Sequence, residues 1–111
     1  MNFEVRKNGT ATVFKLKERQ LNSSISAELK GEFLILCRPK LRSLVIDLSD
    51  VDFCDSSGLS ALLIAERRMR DNGGTVKLVG LRKKVLNLMK ISQLDRVFQI
   101  HSTLPEALSA P

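Results

Sequence analysis

The residues best placed to do chemistry stand together near the middle of the chain, where a carboxylate and two hydroxyls precede a glycine. They are Asp55, Ser56, Ser57 and Gly58. Aspartate and serine are preferred where a helix begins, because their side-chain oxygens accept hydrogen bonds from its free backbone N–H groups. One interpretation is therefore that the segment is only a helix cap.

The same segment also has the properties of a modification site. Two hydroxyls and a carboxylate in succession exceed what one cap requires. The start of a helix attracts anions, since free N–H groups and the positive end of the helix dipole converge there. A phosphoserine would add about −1.5 to −2 charges to any surface that docks on it. The second interpretation is therefore a binding switch operated by phosphorylation.

Catalysis is the third function to consider, and the sequence argues against it. The G-x-S-x-G arrangement of serine hydrolases fails, because Cys54 and Asp55 occupy the two possible positions of its first glycine. Nothing around His101, the one histidine, identifies it as a general base. Cys37 and Cys54 are too few and too far apart for a metal cluster, and we expect both to be buried, reduced thiols. We expect no enzyme activity, no bound metal and no cofactor.

The composition is that of a small globular protein. The 111 residues are 43% hydrophobic and 27% charged, which suits one compact domain over residues 1–111. No apolar run approaches the roughly 20 residues of a membrane span. The charges of residues 1–7 are not followed by the apolar run that a signal peptide needs. We therefore expect a cytoplasmic protein with no membrane partner.

The net charge of +6 raises the question of nucleic acid. Basic residues cluster at Arg38/Lys40/Arg42, Arg67/Arg68/Arg70 and Arg82/Lys83/Lys84. Each cluster lies at the end or start of a predicted helix and can be read as a solvated face. The helix dipole favours cations in a last turn, which suits Arg67 to Arg70. No nucleic-acid motif accompanies the charge. We expect no nucleic-acid partner.

Strands and helices alternate along the chain after an opening hairpin around Asn8-Gly9. The patterns predict strands at 3–7, 11–16, 44–48, 75–79 and 97–100, helices at 25–38, 57–71 and 82–91, and a terminal helical turn at 105–110. The order ββαβαβαβ, with a possible C-terminal helix, predicts an α/β fold. We expect one mixed β-sheet with parallel crossovers and with helices mainly on one face.

Apolar residues at helical or strand spacing define the expected core. They are Leu29, Phe33, Val45, Leu62, Met69, Val76, Leu78 and Leu88. Leu59, Leu63 and Ile64 fall off the core stripe of the second helix. They are expected either to form part of a partner surface or to be covered by a neighbouring helix.

Asp55-Ser56-Ser57-Gly58-Leu59, placed after the strand that ends near Leu48, resembles the signature of STAS-domain anti-sigma-factor antagonists. The resemblance covers nearly the whole chain, including the hairpin, the helix order, Gly73-Gly74 and residues 86–98. It implies a single STAS domain.

The resemblance also implies roles for single residues. Ser56 matches the serine that the partner anti-sigma factor, itself a serine kinase, phosphorylates. Ser57 matches the neighbouring position, which is not the main target. Asp55 matches the acidic residue before the phosphosite, which helps to shape the docking loop. The unphosphorylated antagonist would bind the kinase and free the sigma factor, and a PPM-type phosphatase would restore it after phosphorylation. The partner-binding residues are expected to be Asn22, Asp55, Ser56, Ser57, Gly58, Leu59 and Leu63.

The sequence departs from the family pattern in one place. The family carries Gly-Asp/Glu-x-Asp after its second strand, whereas residues 17–22 here read Lys-Glu-Arg-Gln-Leu-Asn. Asn22 best matches the second acidic position, which leaves the identity of the kinase open. Two rival functions keep the fold without a phosphorylation switch: a regulatory subunit of a transporter ATPase, and a scaffold in a stress-sensing complex.

Overall fold

The computed structural model describes all 111 residues, which form a sheet covered by helices on both faces. The strands are β1 (Phe3–Asn8), β2 (Ala11–Leu16), β3 (Gln20–Leu21), β4 (Ser43–Asp47), β5 (Phe53–Cys54), β6 (Thr75–Val79) and β7 (Gln99–His101). The helices are α1 (Ser26–Leu36), α2 (Ser56–Asp71), α3 (Lys83–Ile91) and α4 (Leu104–Ser109). No helix combines the length and the apolar character needed to cross a membrane.

Five strands form the mixed sheet that the sequence predicts, in the order β1-β2-β4-β6-β7. The hairpin strands β1 and β2 are antiparallel, and the other neighbours are parallel. The strands β3 and β5, which have two residues each, form a separate parallel pair that the sequence patterns do not predict. This pair lies beside the start of α2.

The main core lies on the sheet face that is covered by α1, α2 and α3. Phe14 of β2 is fully buried there, with its ring 5.0 Å from that of Phe3 and 5.2 Å from that of Phe33. The opposite face carries a smaller cluster of Val13, Val45, Val79 and Ala107. Since Ala107 belongs to α4, the terminal segment forms a helix that covers this second face, while the other helices share the first.

Lys77 is the one charged side chain that the second face buries. Its ammonium group donates hydrogen bonds of 2.7 Å to the carbonyl oxygens of Ala107 and Ala110. Carbonyl groups at the end of a helix lack partners within the helix and carry its negative dipole end, so they suit a buried cation. These two hydrogen bonds from Lys77 hold the end of α4 against β6.

The predicted core is confirmed at every position except Leu88, which is half-buried. Val85 and Met89 form the inward face of α3, and Leu88 lies at its edge. The last strand also begins later than predicted. The N–H groups of Val97 and Phe98 bond to the carbonyl oxygen of Leu94 in a short 3-10 turn, so these two residues are not part of the sheet.

Truncation of Leu62, which is fully buried, is expected to cost far more stability than truncation of Leu88. Leu62→Ala should lower the free energy of unfolding by about 2–5 kcal/mol, because it removes packed methyl groups and leaves a cavity. Leu88→Ala should cost about 1–2 kcal/mol, since a half-buried side chain removes less apolar surface from water. Chemical denaturation measures both. A loss below about 1 kcal/mol for Leu62→Ala would contradict the packing described here.

Candidate functional site

The site lies where the chain leaves the carboxyl end of β4 and enters α2. After β4 the chain forms the short strand β5 and then reaches Asp55, the residue that precedes the first turn of α2. β5 pairs with β3, with Leu21 opposite Cys54. The N–H of Asp55 donates to the carbonyl oxygen of Leu21 at 3.1 Å. The loop that follows β2 is thereby held against the start of α2.

Asp55 caps α2, as the first interpretation of the sequence predicts. Its Oδ1 accepts hydrogen bonds from the N–H of Ser57 at 3.0 Å, the N–H of Gly58 at 3.1 Å and the hydroxyl of Ser57 at 2.6 Å. The Ser57 hydroxyl contributes most to lowering the pKa of Asp55, and the N–H of Gly58 comes next. The carboxylate is therefore held in its charged form at the start of the helix.

The two serines after Asp55 differ in their surroundings. The hydroxyl of Ser57 donates to the carboxylate, and its side chain is half-buried. Ser56 is exposed, and the hydrogen bonds of this turn go to Ser57 and Gly58 without using the Ser56 hydroxyl. Of the two hydroxyls, that of Ser56 is the one available to a second protein.

Gly58 is buried where α2 lies closest to β3. A Cβ atom at this position would overlap the carbonyl oxygen of Leu21 and lie 2.6 Å from the Cγ of that residue. The Sγ of Cys54 would be 3.0 Å away. The absence of a side chain is therefore what lets the β3 loop pack against the first turn of α2.

Asn22 follows β3 and lies next to this contact in the chain. Its Oδ1 accepts hydrogen bonds from the N–H of Ser24 at 3.0 Å and from the Ser24 hydroxyl at 2.7 Å. Its Nδ2 donates to the side chain of Gln20. Asn22 follows Leu21, whose carbonyl oxygen contacts the start of α2, and the side chain of Asn22 is used within its own loop.

Leu59, Leu63 and Ile64 of α2 are half-buried rather than exposed. Leu59 and Leu63 pack against the main core, so only the outer part of each side chain is open to a partner. The exposed aromatic residue of this region is Phe53, whose exposed fraction is 48%. Phe53 is not among the site residues that the sequence predicts. The one available signal was the alternation of Phe53 with the buried Cys54, which is too short to identify a strand.

A basic groove lies beside Phe53. It is lined by Asp52 and by the first residues of α3, including Lys83 and Lys84. Asp52 is paired with Arg19, at 3.0 Å between Oδ2 and the guanidinium group. The positive charge beside Phe53 therefore comes mainly from the start of α3.

The two cysteines are buried, as expected, and neither forms a disulfide. Burial raises the pKa of Cys54 to about 12 and that of Cys37 to about 11. Cys54 stands next to Asp55, but its thiol stays protonated at neutral pH. His101 lies elsewhere, with its Nδ1 3.3 Å from the carboxylate of Glu106.

Comparisons with known proteins agree on one family. The sequence model of the STAS domain matches residues 2–107. A candidate anti-sigma factor antagonist from Thermotoga maritima is 33% identical over 61 residues, and the match covers 55% of this chain. The chain spans 54% of that relative. The anti-sigma-B factor antagonist of Bacillus subtilis is 25% identical over 93 residues, covering 74% of this chain and 85% of that protein.

A solved structure supports the fold. The structure of an anti-sigma-factor antagonist (STAS) domain protein from Planctomyces limnophilus superimposes with a TM-score of 0.86 at 23% identity. The superposition covers 96% of this chain and 93% of that one.

The hydrogen bond from Ser57 to Asp55 predicts a measurable change in acid titration. Ser57→Ala removes the largest cause of the lowered pKa, so the pKa of Asp55 should rise toward its ordinary value. A lowered pKa stabilises the fold at pH values above the ordinary value, and that stability is lost as the pH falls through the folded-state pKa. In the variant this contribution should be smaller. NMR titration of the Asp55 carboxyl carbon measures the shift, and an unchanged pKa would contradict the assignment.

Gly58→Ala should destabilise the protein, because the new methyl group has no room beside Leu21. We expect a loss of about 1–3 kcal/mol in the free energy of unfolding, as for overpacked positions. The matched control is Gly31→Ala in α1, where a Cβ would meet nothing within 4 Å. Because alanine is the better helix former, this control should gain about 0.5–1 kcal/mol. Equal stability of the two variants in chemical denaturation would rule out the close contact.

Proposed function

The chain belongs to the STAS domain family, and on that basis we propose that it is an anti-sigma factor antagonist that is switched by phosphorylation of Ser56. In its unmodified form it binds an anti-sigma factor of the serine-kinase type and frees the sigma factor. Phosphorylation by that kinase releases it, and a PPM-type phosphatase restores the active form. The anti-sigma-B factor antagonist of Bacillus subtilis supports the proposal through its name and its similarity across most of this chain.

The observation that carries the proposal is the difference between the two serines. A kinase must reach the hydroxyl of its target and transfer a phosphoryl group to it. Ser56 is exposed, whereas the Ser57 hydroxyl is held by Asp55 at 2.6 Å. The geometry therefore favours Ser56 as the phosphoacceptor.

The cap explains why a phosphate would act on the partner rather than on the fold. The N–H groups of Ser57 and Gly58 are already bonded to the carboxylate of Asp55. A phosphate on Ser56 would find these donors occupied and would stay at the surface. It would add about −1.5 to −2 charges beside the charge of Asp55, and a partner that fits the unmodified surface would then meet an excess of negative charge.

The proposed partner surface surrounds Ser56. It includes the Asp55–Leu59 turn, the outer part of Leu63 and the Asn22 loop that Gly58 allows to pack nearby. We add Phe53 to this surface, because a large exposed aromatic side chain beside a docking site often anchors an interface. This addition extends the residues that the family resemblance implies.

Three variants test the proposal with the kinase-type anti-sigma factors encoded in the same genome. Ser56→Ala should bind the kinase, accept no phosphate and lose less than about 0.5 kcal/mol of stability, because its side chain is exposed. Ser56→Asp should bind about ten- to a thousand-fold more weakly, at about 1.4 kcal/mol per factor of ten. Ser57→Ala is the control and should still be phosphorylated at Ser56.

Incubation of each variant with kinase and ATP, followed by mass spectrometry, locates the phosphate. Phosphate found on Ser56→Ala but absent from Ser57→Ala would show that Ser57, and not Ser56, is the phosphoacceptor. If the wild-type chain binds a kinase-type anti-sigma factor but is never phosphorylated, the switch is refuted and the binding function remains.

A further inference from the structure

A groove of about 370 Å³ lies at the end of the sheet remote from Ser56, between the β1–β2 hairpin and the chain that follows α1. Three cations line it: Lys7 of β1, and Arg38 and Lys40 from the segment after α1. No carboxylate lines it, and none of the three cations belongs to a salt bridge of the structure. Two distant parts of the chain thus place three positive charges around one opening.

The floor of the groove is less polar than its rim. Thr12 is buried and lies opposite Lys7 in the hairpin register, so the two side chains share the face of the sheet that α1 covers. Leu36 and Leu41 are half-buried and pack against the main core beside them. The groove therefore combines an apolar wall, a threonine hydroxyl and a cationic rim.

Stabilisation of α1 does not account for this charge. The guanidinium group of Arg38 donates to the carbonyl oxygen of Ile35 at 3.4 Å, which suits the negative end of a helix dipole. Lys7 approaches from the opposite wall, on a strand, and Lys40 makes no hydrogen bond that would tie it to the helix end. Lys7 and Lys40 are therefore available to bind a ligand.

We propose that this groove binds a small phosphate ester, with the phosphate among Lys7, Arg38 and Lys40 and the apolar part against Leu36 and Leu41. A phosphate ester carries about −1.5 to −2 charges, which matches three cations better than the single charge of a carboxylate. The planar guanidinium group of arginine also fits two phosphate oxygens at once. The volume lies within the range of small-molecule sites.

The groove is independent of the proposed partner surface. The 16 residues of α2 run from Ser56 toward this end of the sheet, a length of about 24 Å at 1.5 Å per residue. A ligand in the groove would therefore leave Ser56 accessible. Its binding can be measured on the isolated chain without a kinase.

NMR titration of the ¹⁵N-labelled chain with phenyl phosphate, at fixed ionic strength, tests the proposal. Saturable shifts are expected at the amides of Thr10, Thr12, Arg38, Lys40 and Leu41, with a dissociation constant of about 1 mM or less. Benzoate, which offers the same ring with one charge, should bind at least about ten-fold more weakly. Shifts spread over all exposed lysines, no saturation, or equal binding of benzoate would overturn the proposal.

The double variant Lys7→Gln/Lys40→Gln should weaken phenyl phosphate binding by at least about ten-fold, because it removes two of the three charges. The control is Lys90→Gln, which removes an exposed lysine from the last turn of α3 and should bind like the wild type. Equal affinity of the double variant and the control would show that phenyl phosphate does not bind in this groove. Tighter binding of a short oligonucleotide than of phenyl phosphate would overturn the small-molecule assignment in favour of a polymer.

Discussion

The close approach of α2 to β3 at Gly58 is the constraint on which the site depends. A side chain at this position would overlap the carbonyl oxygen of Leu21, so only glycine allows the two elements to meet. That same carbonyl oxygen accepts the N–H of Asp55. One contact therefore fixes three things at once: the direction in which α2 begins, the position of its cap, and the position of the loop that carries Asn22.

The cap also makes the two serines different: it binds the hydroxyl of Ser57 and leaves that of Ser56 exposed. Asp55 accepts hydrogen bonds from the Ser57 hydroxyl and from the N–H groups of Ser57 and Gly58, two donors that lack partners within the helix. Ser56 lies one residue away on the exposed side and is left out of this network. A cap and a modification site are thus compatible in one short segment, and the two interpretations of the sequence are not exclusive. Under the proposed switch, a phosphate on Ser56 would act on the interface and not on the fold.

The sequence predicts the parts of this arrangement that repeat along the chain, and misses the parts that depend on single contacts. The stripe of Ala61, Leu62 and Met69 spans about two turns, so the face of α2 that is buried follows from periodicity alone. The strands β3 and β5 have two residues each, which is too short for any period, and so Phe53 was missed. The orientation of each serine hydroxyl depends on the cap geometry. Composition and spacing therefore predicted the helix cap at Asp55, which the structure confirms. The assignment of Ser56 as the modified serine came from the family resemblance and remains a prediction.

Phosphoserine can be installed during translation at position 56 or at position 57, and the affinity of each form for the kinase-type anti-sigma factor tests the proposed switch. Phosphoserine at 56 should weaken binding at least about ten-fold, while the amide spectrum outside the Asp55–Leu59 turn stays that of the unmodified protein. Phosphoserine at 57 should instead disturb the cap, because it replaces the hydroxyl that Asp55 holds. Unchanged affinity with phosphoserine at 56 would contradict a switch at this serine.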